Sequence, residues 1–205
     1  DYLQDLGIDA IWLSPIYPSP DVDFGYDVAD YTAIDPKFGT MRDFEKLVKE
    51  ARKRDIHIIL DLVLNHTSVL HPWFQRARWA PKGSPERDFY VWRDDDEGYA
   101  EAPVLFRHFE SSNWEWDAVA GQYYLHRFLR HQPDLNYDNP AVRSAMLEVV
   151  DFWLDHGVDG FRRRGCRLRG WVRASDGDEL RREQDDFRLN DEDRTEPVFD
   201  SYSGR

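Results

Sequence analysis

Apolar and polar positions alternate in a regular order over the first third of the chain. The first seven residues, DYLQDLG, read as the end of a helix stopped by Gly7. A domain seldom begins inside a helix, so further residues are expected upstream. Residues 8–15 (IDAIWLSP) form a short apolar run closed by proline, the pattern of a strand buried on both faces in a parallel sheet. A loop rich in Pro and Asp follows, through Gly39. Phe44, Leu47, Val48 and Ala51 then recur at helical spacing, with Lys and Arg crowded at the end, where they complement the helix dipole. Residues 56–66 (IHIILDLVLNH) form a second buried strand. Helix, strand, helix, strand is the signature of an α/β fold with parallel strands.

The pattern stops after His66. Residues 67–139 are crowded with Trp, Tyr, Pro and Asp and show no clear period. A plain loop of that length is rare, so an inserted small domain or a functional lid is expected. Helical spacing returns at Pro140, a first-turn proline, with Val142, Ala145, Met146, Val149, Phe152 and Trp153 on the apolar face. Gly157 ends that helix, and VDGFR begins a third strand. Composition then changes abruptly: residues 163–205 carry 10 Arg, 11 Asp or Glu and no Lys, with few apolar positions. This tail is expected to be disordered. The expected organisation is therefore residues 1–66 as the first part of a barrel, 67–139 as the lid domain, 140–162 as the barrel's next helix and strand, and 163–205 as an unrelated tail.

Composition narrows the function. Of the 205 residues, 15% are aromatic, which suits a packed core and stacking on flat ligands alike. The net charge of −13 argues against nucleic acid and anionic membrane as partners, since phosphate binding needs an excess of Lys and Arg. The lone cysteine, Cys166, excludes an internal disulfide. No run of 18 apolar residues is present, and the N-terminal residues do not resemble a signal peptide. A cytoplasmic location is expected.

In α/β enzymes the working groups sit at strand ends. The first strand is followed by Asp23, Tyr26 and Asp27; the second carries Asp61, Asn65 and His66; the third carries Arg162. Each alone is equally at home as a packing or capping residue. Together, a carboxylate, an aromatic ring, an imidazole and a guanidinium can grip a polyhydroxylated ligand.

Three stretches in order, DLVLNH (61–66), QPDLN (132–136) and DGFR (159–162), resemble motifs of the α-amylase superfamily of glycoside hydrolases and transglycosylases. The resemblance covers residues 1–162. It implies a partial (β/α)8 TIM barrel, about strands two to four, with the lid inserted after strand three. It also implies small sugar substrates. GQYYLHRFLRHQPDLNYDNPAV is similar to the branch that interconverts maltose and trehalose through a retained glucosyl-enzyme. The alternatives are hydrolysis of short α-glucosides, or a non-catalytic fragment. In the implied roles, Asp23 and His66 bind glucose hydroxyls in the innermost subsite and Tyr26 stacks on that sugar. Gln132 reaches it from the lid. Asn65 and Asp134 would be ligands of a structural Ca²⁺, a cation that prefers oxygen. Arg162 would orient the nucleophile. Asp61 and Asp27 would brace the barrel and the loop.

The resemblance breaks at the chemistry. Retaining enzymes of this kind use two carboxyl groups about 5 Å apart. The family's nucleophile is an Asp two residues after the motif arginine, where this chain has Arg164. A guanidinium cannot form a glycosyl ester. No later segment resembles the acid/base motif; Asp176, Asp178 and Glu179 follow no strand pattern. A reading-frame change near Arg163 is the simplest expectation.

Overall fold

A computed structural model describes residues 1–164. Helix α1 (Tyr2–Asp5) is a single turn, and Gly7 follows it at φ 76°, a left-handed conformation that glycine adopts without steric cost. Three parallel strands form one sheet: β1 (Ala10–Leu13), β2 (His57–Val63) and a strand at Gly160–Arg164, with β2 in the middle. Asp61 stands beside Arg162 in the ladder.

The helix before β2, α2 (Met41–Arg52), starts at a capping box. Thr40 accepts from the Asp43 amide at 3.3 Å, and the Asp43 carboxylate accepts from the Thr40 amide at 2.9 Å. Its Phe44, Val48 and Ala51 are buried, whereas Leu47 faces solvent. A second long helix, Pro140–Asp155, is capped by Asn139, with proline in its first turn. Trp153 of that helix is the centre of the core. Its ring lies 5.2 Å from Phe44 and 5.6 Å from Tyr17, and its indole N–H donates to the Tyr31 carbonyl at 2.7 Å.

Two features depart from the sequence pattern. Strand β1 is not buried on both faces: its residues alternate between exposed and half-buried, and Trp12 is 44% exposed. Among the described residues β1 has a strand on one side only, so its apolar pattern exceeds the burial it receives. The last strand continues two residues beyond Arg162, to Arg164. The expected disordered tail otherwise lies outside the described residues.

Residues 67–139 hold elements too short to show a period. Helix α3 (Pro72–Trp79) is followed by a 3₁₀ turn (Arg87–Phe89). Strands β3 (Trp92–Arg93), β4 (Trp114–Asp117) and β5 (Gln122–Leu125) form an antiparallel sheet with β5 central. Phe74, Tyr90, Trp92 and Tyr124 pack ring against ring beneath it. Arg87 is buried, yet its guanidinium donates to the Ala80 carbonyl at 2.6 Å and the Gln122 side chain at 3.1 Å. Those bonds offset much of the cost of burying its charge. A single bridge, His66 to Asp134, ties this segment back to the residues after β2, and another, Tyr90 to Leu135, closes the segment on itself. Helix Pro140–Asp155 is α4 and strand Gly160–Arg164 is β6 in chain order.

Candidate functional site

The site is built at the C-terminal ends of the parallel strands. The loop after β1 carries Asp23 and Tyr26 and is shaped by Asp27, which is fully buried. Asp27 accepts from Ser19 Oγ at 2.7 Å and from the Val22 and Asp23 amides at 3.0 and 3.2 Å. It therefore braces the loop from within. Gly25 sits at φ 92°, and a Cβ there would lie 3.2 Å from the Pro15 carbonyl oxygen, so this turn needs glycine.

Asp61 is the hub of the site. Its Oδ2 accepts from the Tyr26 hydroxyl at 3.0 Å and from the Arg162 guanidinium at 2.7 Å. Its Oδ1 is buried without a partner among the described residues. The Arg162 guanidinium also lies 4.4 Å from the centre of the Trp12 ring, a cation–π contact. Arg162 thus pairs with Asp61. Burial first, then the bond to Asp61, pushes the Tyr26 phenol pKa up.

Gln132 arrives from the 67–139 segment and donates to Asp23 Oδ2 at 2.8 Å. The other Asp23 oxygen has no hydrogen bond among the described residues. Burial pushes the Asp23 pKa up, and the Gln132 bond opposes that rise. His66 is buried, and that burial pulls its pKa down to about 4, so the imidazole is neutral. Its Nε2 lies 3.1 Å from the Tyr26 carbonyl, which only accepts, so Nε2 carries the proton. Nδ1 then accepts from Asn65 Nδ2 at 3.3 Å.

Asn65 and Asp134 do meet, but as a hydrogen-bonded pair. The Asn65 amide nitrogen donates to Asp134 Oδ1 at 2.8 Å, and the Arg127 amide donates to the same oxygen. Burial pushes the Asp134 carboxyl up to about 7. Ca²⁺ needs six to eight oxygens around it. Here the Asn65 amide turns its nitrogen towards Asp134. Turned over about its side-chain bond, the Asn65 amide would present Oδ1 instead, and the pair would then offer two oxygens to such a cation.

The structure brings together Asp23 with Gln132, His66 with Tyr26, and Tyr26 with Arg162 through Asp61. The Arg164 side chain, Asp176, Asp178 and Glu179 lie outside the described residues. Two contributors were not singled out from the sequence: Trp12, beneath Arg162, and Phe128, whose ring lies 5.0 Å from His66. Alternation along β1 could have flagged Trp12, which lies two residues from the strand start; nothing in the aperiodic segment marks Phe128.

The Asp23 carboxylate, with one oxygen free among the described residues, and the Asp61–Arg162 pair, whose guanidinium is about one-third exposed, are the groups here that could grip a polar ligand. Residues 1–168 match the family model described as the alpha-amylase catalytic domain, and the chain belongs to that family, a TIM-barrel family. It is 57% identical over 162 residues to a trehalose synthase of Pimelobacter sp. (strain R48), covering 79% of this chain and 28% of the relative. It is 55% identical over 164 residues to trehalose-6-phosphate hydrolase of Escherichia coli (strain K12), covering 79% and 29%. Among solved structures, trehalulose synthase MutB from Pseudomonas mesoacidophila MX-45 matches with TM-score 0.73 and 48% identity, over 80% of this chain and 29% of that one. Mutants of MutB have been solved with sucrose, isomaltulose and glucose. The chain thus spans less than a third of the length of these relatives. Among the described residues, no helix is long and apolar enough to cross a membrane.

Proposed function

We propose that this chain carries the sugar-gripping part of a trehalose synthase-type site and that its parent enzyme interconverts maltose and trehalose through a retained glucosyl-enzyme. Asp23, His66, Gln132 and Arg162 would line the innermost glucose subsite, with Tyr26 stacking on the sugar. The observation that carries the reading is the 2.8 Å bond from Gln132 to Asp23. It joins the 67–139 segment to the β1 loop and leaves one carboxylate oxygen free for a hydroxyl. Residues 67–139 act as a lid in this proposal, and exclusion of water beneath it favours isomerisation over hydrolysis.

The chain itself is proposed to bind sugar without turning it over, because Arg164 holds the place where the family has its nucleophile. Incubation with p-nitrophenyl α-glucoside should give no p-nitrophenol above a protein-free blank; sustained release would overturn this. Maltose binding should weaken when Gln132 is replaced by alanine, and unchanged affinity would remove Gln132 from the site. A coding sequence in another frame downstream of codon 162 should restore an Asp-containing strand motif. The protein made in that frame should convert maltose mainly to trehalose; mainly glucose would favour the α-glucosidase reading, which the similarity to trehalose-6-phosphate hydrolase supports. A cytoplasmic location belongs to the same proposal, checked by cell fractionation.

A further inference from the structure

Trp12, Ile59 and Gly160 stand side by side across β1, β2 and β6, and Asp61 and Arg162 lie two residues further along on the same face. β1 and β6 are separated by the whole width of β2, about 9–10 Å at two interstrand spacings. Only a long side chain from each strand can meet across that gap. Trp12 and Arg162 do so: the guanidinium carbon lies 4.4 Å from the indole centre. Trp12 is 44% exposed, so core packing is a poor account of so large a side chain at this place.

The ion pair alone does not fix the guanidinium. Its bond to Asp61 runs through one pair of atoms, Nη1 to Oδ2 at 2.7 Å, and Asp61 Oδ1 is buried with no partner among the described residues. A bidentate pair would set the plane of the arginine; a single bond sets a point about which the plane can turn. About a third of the Arg162 side chain is exposed, so packing does not hold it on every side. Arg164 stands where the family has its nucleophile, so a carboxylate at that position is not there to hold Arg162 either. The Trp12 ring supplies the restraint, because a cation is drawn to the face of an aromatic ring and tryptophan is the strongest such partner. The guanidinium is thus held at a point from β2 and on a face from β1.

We infer that Trp12 is a positioning residue for Arg162: its ring face fixes the plane of the guanidinium, so that donors not used by Asp61 are presented to a sugar oxygen in the glucose subsite. The orientation stands on this geometry alone. The sugar contact rests on the role proposed above for Arg162 in that subsite.

Nuclear magnetic resonance of the arginine side chains and calorimetric titration with maltose, both on the 205-residue chain, test this. The Arg162 Nε–H signal, identified by its loss in Arg162→Leu, should lie upfield of unstacked arginines because of the indole ring current. It should return to the ordinary position in Trp12→Leu and stay partly shifted in Trp12→Phe, which keeps a ring face. Urea unfolding shows that each variant is folded. Maltose affinity should fall about two- to fivefold in Trp12→Leu and less in Trp12→Phe. An Arg162 signal at the ordinary position, or one that Trp12→Leu leaves unmoved, would overturn the inference. So would a maltose affinity that falls in Arg162→Leu but not in folded Trp12→Leu. An affinity unchanged by Arg162→Leu would instead remove Arg162 from the glucose subsite, and the sugar contact with it, while the signal still decides whether Trp12 holds the guanidinium.

Discussion

At the scale of single residues, the Asp61–Arg162 pair sets the most telling expectation. The Asp61 side chain is wholly buried, while about a third of the Arg162 side chain is exposed. Removing one partner leaves the other with what solvent can supply. Arg162→Ala strands a buried carboxylate and should cost the more stability of the two. Asp61→Ala leaves a guanidinium that water can reach and should cost less. Urea unfolding of both variants checks the order. A larger loss for Asp61→Ala would mean that the Tyr26 bond, and not the ion pair, makes Asp61 important. The Tyr17 hydroxyl donates to the Asp61 carbonyl at 2.9 Å, so that backbone bond survives in either variant.

At the scale of elements, helix α3 depends on a titratable cap. His71 Nδ1 accepts from the Trp73 amide at 3.1 Å, which requires a neutral ring. Burial pulls the His71 pKa down to about 4; Asp30 opposes that shift and Arg76 adds to it. The unfolded chain titrates near the ordinary value of 6.5, so below that pH it binds a proton the folded form refuses. The contribution is whole above pH 6.5 and is lost as pH falls towards 4, with a slope approaching about 1.4 kcal/mol per pH unit. His66 behaves alike. His71→Asn keeps a capping acceptor without titrating, so stability should fall less steeply between pH 6.5 and 4; an unaltered slope would sink the assignment. Helix α4 is held differently, by Trp153 among Tyr17, Phe44 and Phe152. Trp153→Ala should cost about 3–5 kcal/mol, read as a lower urea midpoint; a change under about 1 kcal/mol would show that the cavity refills.

At the scale of the whole molecule, the described sheet has three strands and an exposed flank at β1. Unpaired strand edges and exposed apolar side chains template association. The chain should therefore form larger species as its concentration rises, seen by sedimentation velocity; a single monomer boundary across the micromolar range would contradict this. Self-repulsion from a net charge of −13 works against association, so added salt should promote it. Much of this architecture is legible along the chain. The central strand, helices α2 and α4, the place of the third strand and the positions of Asp23, Tyr26, His66 and Arg162 all follow from local periodicity and from residues at strand ends. Such features depend on neighbours close in sequence. The exposure of β1, the antiparallel sheet within 67–139 and the ring of Phe128 against His66 do not, because each depends on which distant segments come to lie alongside. The same holds for Arg162: its type and place are written in VDGFR, but only the register of β6 on β2 gives it Asp61 as a partner, since parallel strands bring together residues 101 positions apart.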